Sequence, residues 1–501
     1  MCKIKARDII SIFVIRKGEG MNFKRVFMFM LGIVAVTGFT GSAFSQEAQV
    51  STLEDQKNVE VTVYNSNIAL IKDTRELKLA TTEAGELRFM DVAQYIDPVT
   101  VHVESVNMPD SFAVLEQNYE YDLMNASKLL DKYVGKEITL LDRNPYQGTE
   151  TKVTATLLSN NNGQIYKVGD EIYLGHPGYQ ILPKIPENLI AKPTLTWLFA
   201  NDSTSAHQLK VSYLTSNMTW KADYVLTVDD ADKNGALNGW VTVDNKSGTE
   251  YTNAQLKLVA GEVNRARDEG RVLYDMEMSG SAMMAKSAEQ FVEQSFFEYH
   301  IYDLQRRTTL KNNQTKQVSL LNKSGIPLTK KFIVQGNQNY FYNSYMGQNN
   351  IKVPVEVFIE FKNSKENSLG MPLPAGVIRL YKADSKGSLQ FIGEDRIDHT
   401  PKDELLRLKV GKAFDIVAER KQMDYQNLGS YVTESEWEIK IRNHKEEDIV
   451  VTVLEPVHGE WRIMKSSHTY NKESAHGVSF EVPVAKDGEA VLTYRVRVSY
   501  R

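Results

Sequence analysis

The densest run of groups able to do acid–base or ligand chemistry is Glu394, Asp395, Arg396, Asp398, His399, Thr400, Lys402, Asp403 and Glu404. An aspartate beside a histidine supplies a general base, because imidazole exchanges protons near neutral pH and a carboxylate can orient it. The same oxygens and nitrogen are also ligand types for a divalent ion. Asp395 and His399 are therefore the candidate catalytic pair, and Glu394, Arg396 and Asp398 the candidate binding groups. Strand geometry turns Glu394, Arg396 and Asp398 one way and Asp395 and Ile397 the other, so the acids do not simply converge. The bland reading, which the spacing favours, is a strand leaving its sheet, with Asp398 and Thr400 satisfying turn amides before Pro401.

Three further groups carry chemistry. His458, His468 and His476 recur within 19 residues; metal ligands must converge, and loops of this length can bring hairpin ends together, although surface loops account for such histidines more simply. Met276, Met278, Met283 and Met284 offer soft thioethers of the kind Cu(I) prefers, but neither a repeated methionine pattern nor a neighbouring histidine supports a copper site. Trp220 and Trp240 are candidate binding residues, either a stacking platform for a sugar ring or aromatics of a sandwich core. HExxH, GxSxG, GxGxxG and Walker signatures are all missing. No cofactor and no resident metal are expected.

The elements that must position these residues read as strands. Val59, Val61 and Val63 alternate with Glu60 and Thr62, and Leu492, Tyr494, Val496, Val498 and Tyr500 alternate with polar residues at the end of the chain, a pattern suited to a sandwich edge. One short helix is predicted over 127–133, with Gly135 near its C-cap. Between Lys136 and Pro183, compact strand-like segments separated by turn residues suggest a small inserted barrel. The fold class is thus all-β: multi-domain antiparallel β-sandwiches with a small inserted β-barrel and few short helices. The division expected is a leader and signal peptide over 1–45, a flexible segment over 46–57, an N-terminal β domain over 58–133, the barrel-like subdomain over 134–188, the first part of a β-sandwich over 189–264, a mobile linker over 265–290 and a C-terminal β-sandwich over 291–501.

Compartment follows from the start of the chain. Lys24 and Arg25, the apolar run Val26 to Phe39 and small residues leading to Ser45 have the three parts of a secretory signal, with translation expected to begin at Met21. Of 59 Lys/Arg and 64 Asp/Glu, cleavage after Ser45 removes seven and two, leaving 52 cations and 62 anions, a net charge of −10. That balance argues against nucleic acid as a partner. Cys2 is the sole cysteine, so the exported chain would have no disulfide, thiolate ligand or cysteine nucleophile. No transmembrane span is expected after cleavage.

The segments YLTSNMTWKADYVLTVD, GWVTVDNKSGTEYTNAQLKLVAGEVNR, PLPAGVIRLYKAD and FIGEDRIDHTPKDELLRLKVGKAFDIVAERK together resemble the bacterial family with domain of unknown function 4139, whose domain also forms the C-terminal part of mucoidy inhibitor A-like proteins. The resemblance spans about residues 58–501. It implies an exported, β-rich envelope protein and supplies no catalytic residues. The coiled-coil segment of the longer mucoidy-type relatives has no counterpart here, since no sustained heptad appears. The expected role is that of a periplasmic or secreted cell-envelope β-sandwich protein, more a binder than an enzyme, that engages another envelope protein or a glycan. The alternative is a periplasmic hydrolase built on Asp395 and His399.

Overall fold

The computed structural model describes residues 48–120, 125–143, 149–175, 178–184, 192–261, 263–264, 290–345 and 350–500. The leader and signal over 1–45 lie outside the described residues, as do Met276, Met278, Met283 and Met284 and nearly all of the expected 265–290 linker.

Alternating apolar and polar residues become strand almost throughout, because period-two alternation lets one face of a pleated strand enter a core. In Gln56–Tyr64, Val59, Val61 and Val63 are buried and the residues between them are half-buried. The strands assemble into six sheets of four, five, eight, five, six and five strands. Most pairs are antiparallel, as expected. Four are parallel, and these join distant parts of the chain: Gln49–Ser51 with Thr82–Met90, Gln56–Tyr64 with Tyr251–Ala260, Met218–Val228 with Gly376–Ala383, and Thr329–Gln335 with Ile449–Pro456.

Two large cores result. The first gathers Phe89, Trp197, Phe199, Trp220, Tyr224, Leu321 and Ile378, among others. The second gathers Trp437, Ile439, Val451, Phe480 and Tyr494. The strand Val355–Lys362 serves both, giving Val355 to the second and Ile359 and Phe361 to the first. The final strand, Glu489–Ser499, buries Leu492, Tyr494, Val496 and Val498 on one face as its alternation predicts. It is not a sheet edge, however: it lies between Val432–Asn443 and Glu460–Ser466, and the latter is the edge.

The predicted helix forms at Ala126–Tyr133, capped by Asn125, whose side chain accepts from the Lys128 amide at 2.9 Å. Gly135 follows at φ +80°, the left-handed conformation that ends many helices. Leu130 and Tyr133 pack on Ile138, Leu140, Ala155, Leu157 and Tyr166 in a small third core. The five strands around it run in the order Glu171–Leu174, Ile165–Val168, Glu150–Ser159, Glu137–Arg143, Tyr179–Ile181, and the two end strands do not pair, so the barrel expected here is an open sheet. Those end strands are four and three residues long, with every residue exposed, and too short to curl the sheet onto itself.

The stretch 46–57, expected to be flexible because it is polar, is instead built into the fold from Gln49 onward. Gln49–Ser51 adds a strand to a sheet, and Ser51 is buried because its Oγ accepts from Arg75 Nη1 at 3.2 Å. Arg75 is itself fully buried. It also donates from Nε and Nη2 to Asp73 Oδ2 at 3.1 and 2.9 Å and from Nη2 to Met90 O at 2.9 Å, and it lies 3.6 Å over the Phe89 ring. Gln56 Nε2 donates to the other oxygen of Asp73 at 2.9 Å. The second core holds a fully buried Arg420, which forms an ion pair with the equally buried Glu455 and donates to Tyr494 Oη at 3.3 Å. Tyr340 and Trp437 cover its guanidinium at 4.6 and 5.3 Å. Arg420 Nε and Glu455 Oε2 find no hydrogen-bond partner among the described residues.

Among the described residues no helix is long and apolar enough to cross a membrane.

Candidate functional site

One ordered polar surface is the outer face of the sheet ordered Gln314–Pro327, Asn234–Asn245, Met218–Val228, Gly376–Ala383, Leu389–Ile397. Each strand alternates. Trp220, Tyr224, Leu226, Leu237, Val241, Ile378, Leu380 and Ile397 point into the first core. Their sequence neighbours must therefore face the other way. The register sets Asp223 opposite Trp240 on one side and opposite Val377 on the other, Arg379 opposite Glu394, and Tyr381 opposite Phe391.

These side chains form a row across all five strands. Gln317 Nε2 donates to Thr242 Oγ1 at 3.3 Å, and Thr242 Oγ1 donates to Asp223 Oδ2 at 3.4 Å. Arg379 Nη1 donates to Asp223 Oδ1 at 3.3 Å, and its Nε stands 3.3 Å from Glu394 Oε2. The side chain of Asp223 is 18% exposed and that of Glu394 54%, so the row runs from a sheltered middle to an open edge. Half-buried Trp240 lies on this face, its ring stacked on no other aromatic among the described residues. At the edge, Tyr381 and Phe391 meet edge to face at 5.7 Å. Such a face can stack an aromatic on an apolar ligand surface while neighbouring amide, hydroxyl, carboxylate and guanidinium groups bond its polar rim.

The candidate residues divide accordingly. Trp240, Glu394 and Arg396 share this face, Arg396 lying opposite Val377. Trp220 does not join them: it is 2% exposed, donates Nε1–H to Val259 O at 3.2 Å and packs 6.3 Å from Tyr302, so it is a core aromatic and no stacking platform. Asp398 is exposed past the strand end, where its carbonyl accepts from Thr400 Oγ1 at 2.7 Å. Asp395 accepts from the backbone N–H of Arg396 at 2.9 Å and of Lys409 at 2.7 Å, tying this edge to the Leu405–Lys412 strand of the next sheet. His399 Nδ1 accepts from the Ala375 N–H at 3.2 Å. Neither of those engagements is with the other member of the pair. Each oxygen of the Asp395 carboxylate thus holds a backbone amide.

Sequence reasoning missed Asp223, Arg379, Tyr381 and Phe391, which the parallel pairing of Met218–Val228 with Gly376–Ala383 brings together. It also missed a Ser–His–Asn row. Ser105 Oγ lies 3.0 Å from His207 Nδ1, and His207 Nε2 lies 3.0 Å from Asn201 Oδ1. The three residues are 3%, 0% and 3% exposed, and burial pushes the His207 pKa down. A serine nucleophile needs a substrate at its oxygen, and this one is sealed, so the row satisfies polar groups inside the first core. Of the three spaced histidines, His458 and His476 approach each other with ring centres 5.1 Å apart, whereas His468 is bonded to Ser467 Oγ at 2.9 Å.

Fold and face together define an all-β, multi-sheet protein that carries a cross-strand polar row on an open sheet. Residues 209–501 match the family model described as "Domain of unknown function (DUF4139)", and the chain belongs to that family. All five strands of the face lie within the matched segment. No curated protein matches the chain.

Proposed function

We propose that this is an exported cell-envelope protein that works by binding and not by catalysis, and that the face carrying Trp240, Asp223, Arg379 and Glu394 is its binding surface. The observation that carries the reading is the five-strand row beside Trp240: polar groups already ordered by one another, next to a half-buried aromatic ring on the same face. Preordered groups lose little side-chain entropy when a ligand arrives. A glycan is the partner class best suited to it, since sugar rings present an apolar face for stacking and hydroxyls for amide, carboxylate and guanidinium groups. Export rests on the signal-like segment ending at Ser45 and on the absence of cysteine beyond Cys2.

The test is binding of envelope polysaccharide fragments by calorimetry, paired with crosslinking in the native cell and mass spectrometry of what is captured. Trp240→Ala and Arg379→Ala should each weaken glycan binding by about tenfold or more while far-ultraviolet circular dichroism stays that of wild type. Capture of an envelope protein through this face, with no glycan affinity, would replace the glycan by a protein partner. Unchanged binding in both variants would remove the face from the function.

A further inference from the structure

Strand Ile449–Pro456 pairs with Gly477–Val484 so that Pro456 stands opposite Gly477. The residues just beyond one strand end and just before the other are therefore neighbours in space although they are far apart in sequence. Three hydrogen bonds fix them. Val457 N–H donates to His476 O at 2.9 Å, His476 N–H to Ser474 Oγ at 3.0 Å, and Trp461 Nε1–H to Ala475 O at 2.7 Å. On this braced corner the rings of His458 and His476, both exposed, have centres 5.1 Å apart and planes inclined at 52°.

That spacing has a chemical reading. An imidazole nitrogen binds a zinc-like ion at about 2.0–2.1 Å, which places the ion about 3.2 Å from the ring centre, and two such rings at a tetrahedral angle have centres about 5 Å apart. A stacked pair would have parallel planes. We propose that His458 and His476 form a two-histidine site for a borderline divalent transition ion of the zinc class, the ions that imidazole suits. Among the described residues no group of three or more His, Cys, Asp or Glu is placed to hold a metal, so water would fill the remaining positions and the site would be open. Lys472, close to His476 in sequence, is drawn 5.1 Å over the ring of Trp461. The inference is independent of the glycan face, which lies on another sheet.

The test is calorimetric titration of zinc into the full untagged chain and its variants. Wild type should bind one ion that is lost, or weakened by about tenfold or more, in His458→Asn and in His476→Asn alike. His468→Asn should bind as wild type, because its ring is engaged with Ser467. Both site histidines are exposed, so the variants should melt with wild type, and a cobalt(II) absorption spectrum of tetrahedral type, absent from both variants, gives a second reading of the same pair. No zinc binding by wild type, equal binding by all variants, or loss in only one of the two site variants would overturn the proposal.

Discussion

Each of the two large cores buries an arginine completely, and they treat it differently. Around Arg75 every neighbour is complementary: Asp73 takes two hydrogen bonds, Ser51 and Met90 O one each, Gln56 fills the second oxygen of Asp73, and Phe89 covers the guanidinium. Around Arg420 the charge is matched by Glu455 and covered by Tyr340 and Trp437, yet one nitrogen and one oxygen of the pair have no partner among the described residues. Burial works to lower the Arg420 pKa, but Glu455 and Tyr494 beside it raise it on balance, so the guanidinium stays charged. A buried charge is tolerated once it is paired; it adds stability only when the rest of its hydrogen-bonding capacity is also met. The Arg75 cluster meets that condition and the Arg420 cluster does not.

The largest effects should come from removing one partner. Asp73→Ala and Glu455→Ala each strand a buried guanidinium, and each should lower the unfolding free energy by about 3–5 kcal/mol in urea titrations. Removing both partners separates the two sites. Arg420→Met with Glu455→Leu should return to within about 1 kcal/mol of wild type or exceed it, since the pair already leaves two atoms unsatisfied. Asp73→Leu with Arg75→Met should stay well below wild type, because Ser51, Met90 O and Gln56 are left wanting partners at about 1–3 kcal/mol each where they remain buried. Equal outcomes for the two doubles would erase the contrast.

A smaller effect sharpens the second site alone. A Cβ at Gly336 would overlap Glu455 Oε2 and stand 3.2 Å from Leu454 O. Gly336→Ala should cost about 1–3 kcal/mol by thermal or urea denaturation, and much less in a Glu455→Ala background, where the struck oxygen is gone. An unchanged cost there would place the strain in the backbone.

The smallest effect per group is alkaline. Burial pushes the phenols of Tyr213, Tyr224, Tyr251 and Tyr302 up in the first core; in the second, burial and then Glu455 do the same to Tyr494. A folded pKa above the unfolded value near 10 gives stability that is complete below that pH and lost as pH rises toward the folded value, at about 1.4 kcal/mol per pH unit per phenol. Ultraviolet titration should find these phenols ionising in one cooperative step together with loss of near-ultraviolet circular dichroism. Ionisation ahead of unfolding would contradict the burial assigned to them.

The strands were legible because alternation is local. The roles of the two tryptophans were written in the same alternation: Trp220 is in phase with Met218, Ala222 and Tyr224, whereas Trp240 is in phase with Asn238 and Thr242. The buried arginines carried the same signal, Arg75 in phase with Ile71 and Leu77 and Arg420 with Ile416 and Ala418. A charge on an apolar phase marks a buried partner elsewhere, but alternation alone does not say where. The row at the face was not legible for that reason, since Asp223 and Arg379 meet only through a parallel pairing between distant segments. Asp395 and His399 drew attention by being close in sequence, and their acceptors turned out to serve backbone amides.

The same parallel pairings bear on how the chain reaches this state. Glu60 pairs with Gln255, Ala222 with Gly376 and Phe332 with Val451, partners 195, 154 and 119 residues apart in sequence. Closing such loops loses entropy before any contact repays it, and domains dominated by distant pairings fold slowly. As the polypeptide is synthesised, Gln56–Tyr64 waits with an open hydrogen-bonding edge until Tyr251–Ala260 has been made, and Val432–Asn443 and Glu460–Ser466 wait for the last strand. Folding is therefore a late, nearly whole-chain event, and throughout that interval the unpaired edges invite association with other chains unless something holds them apart.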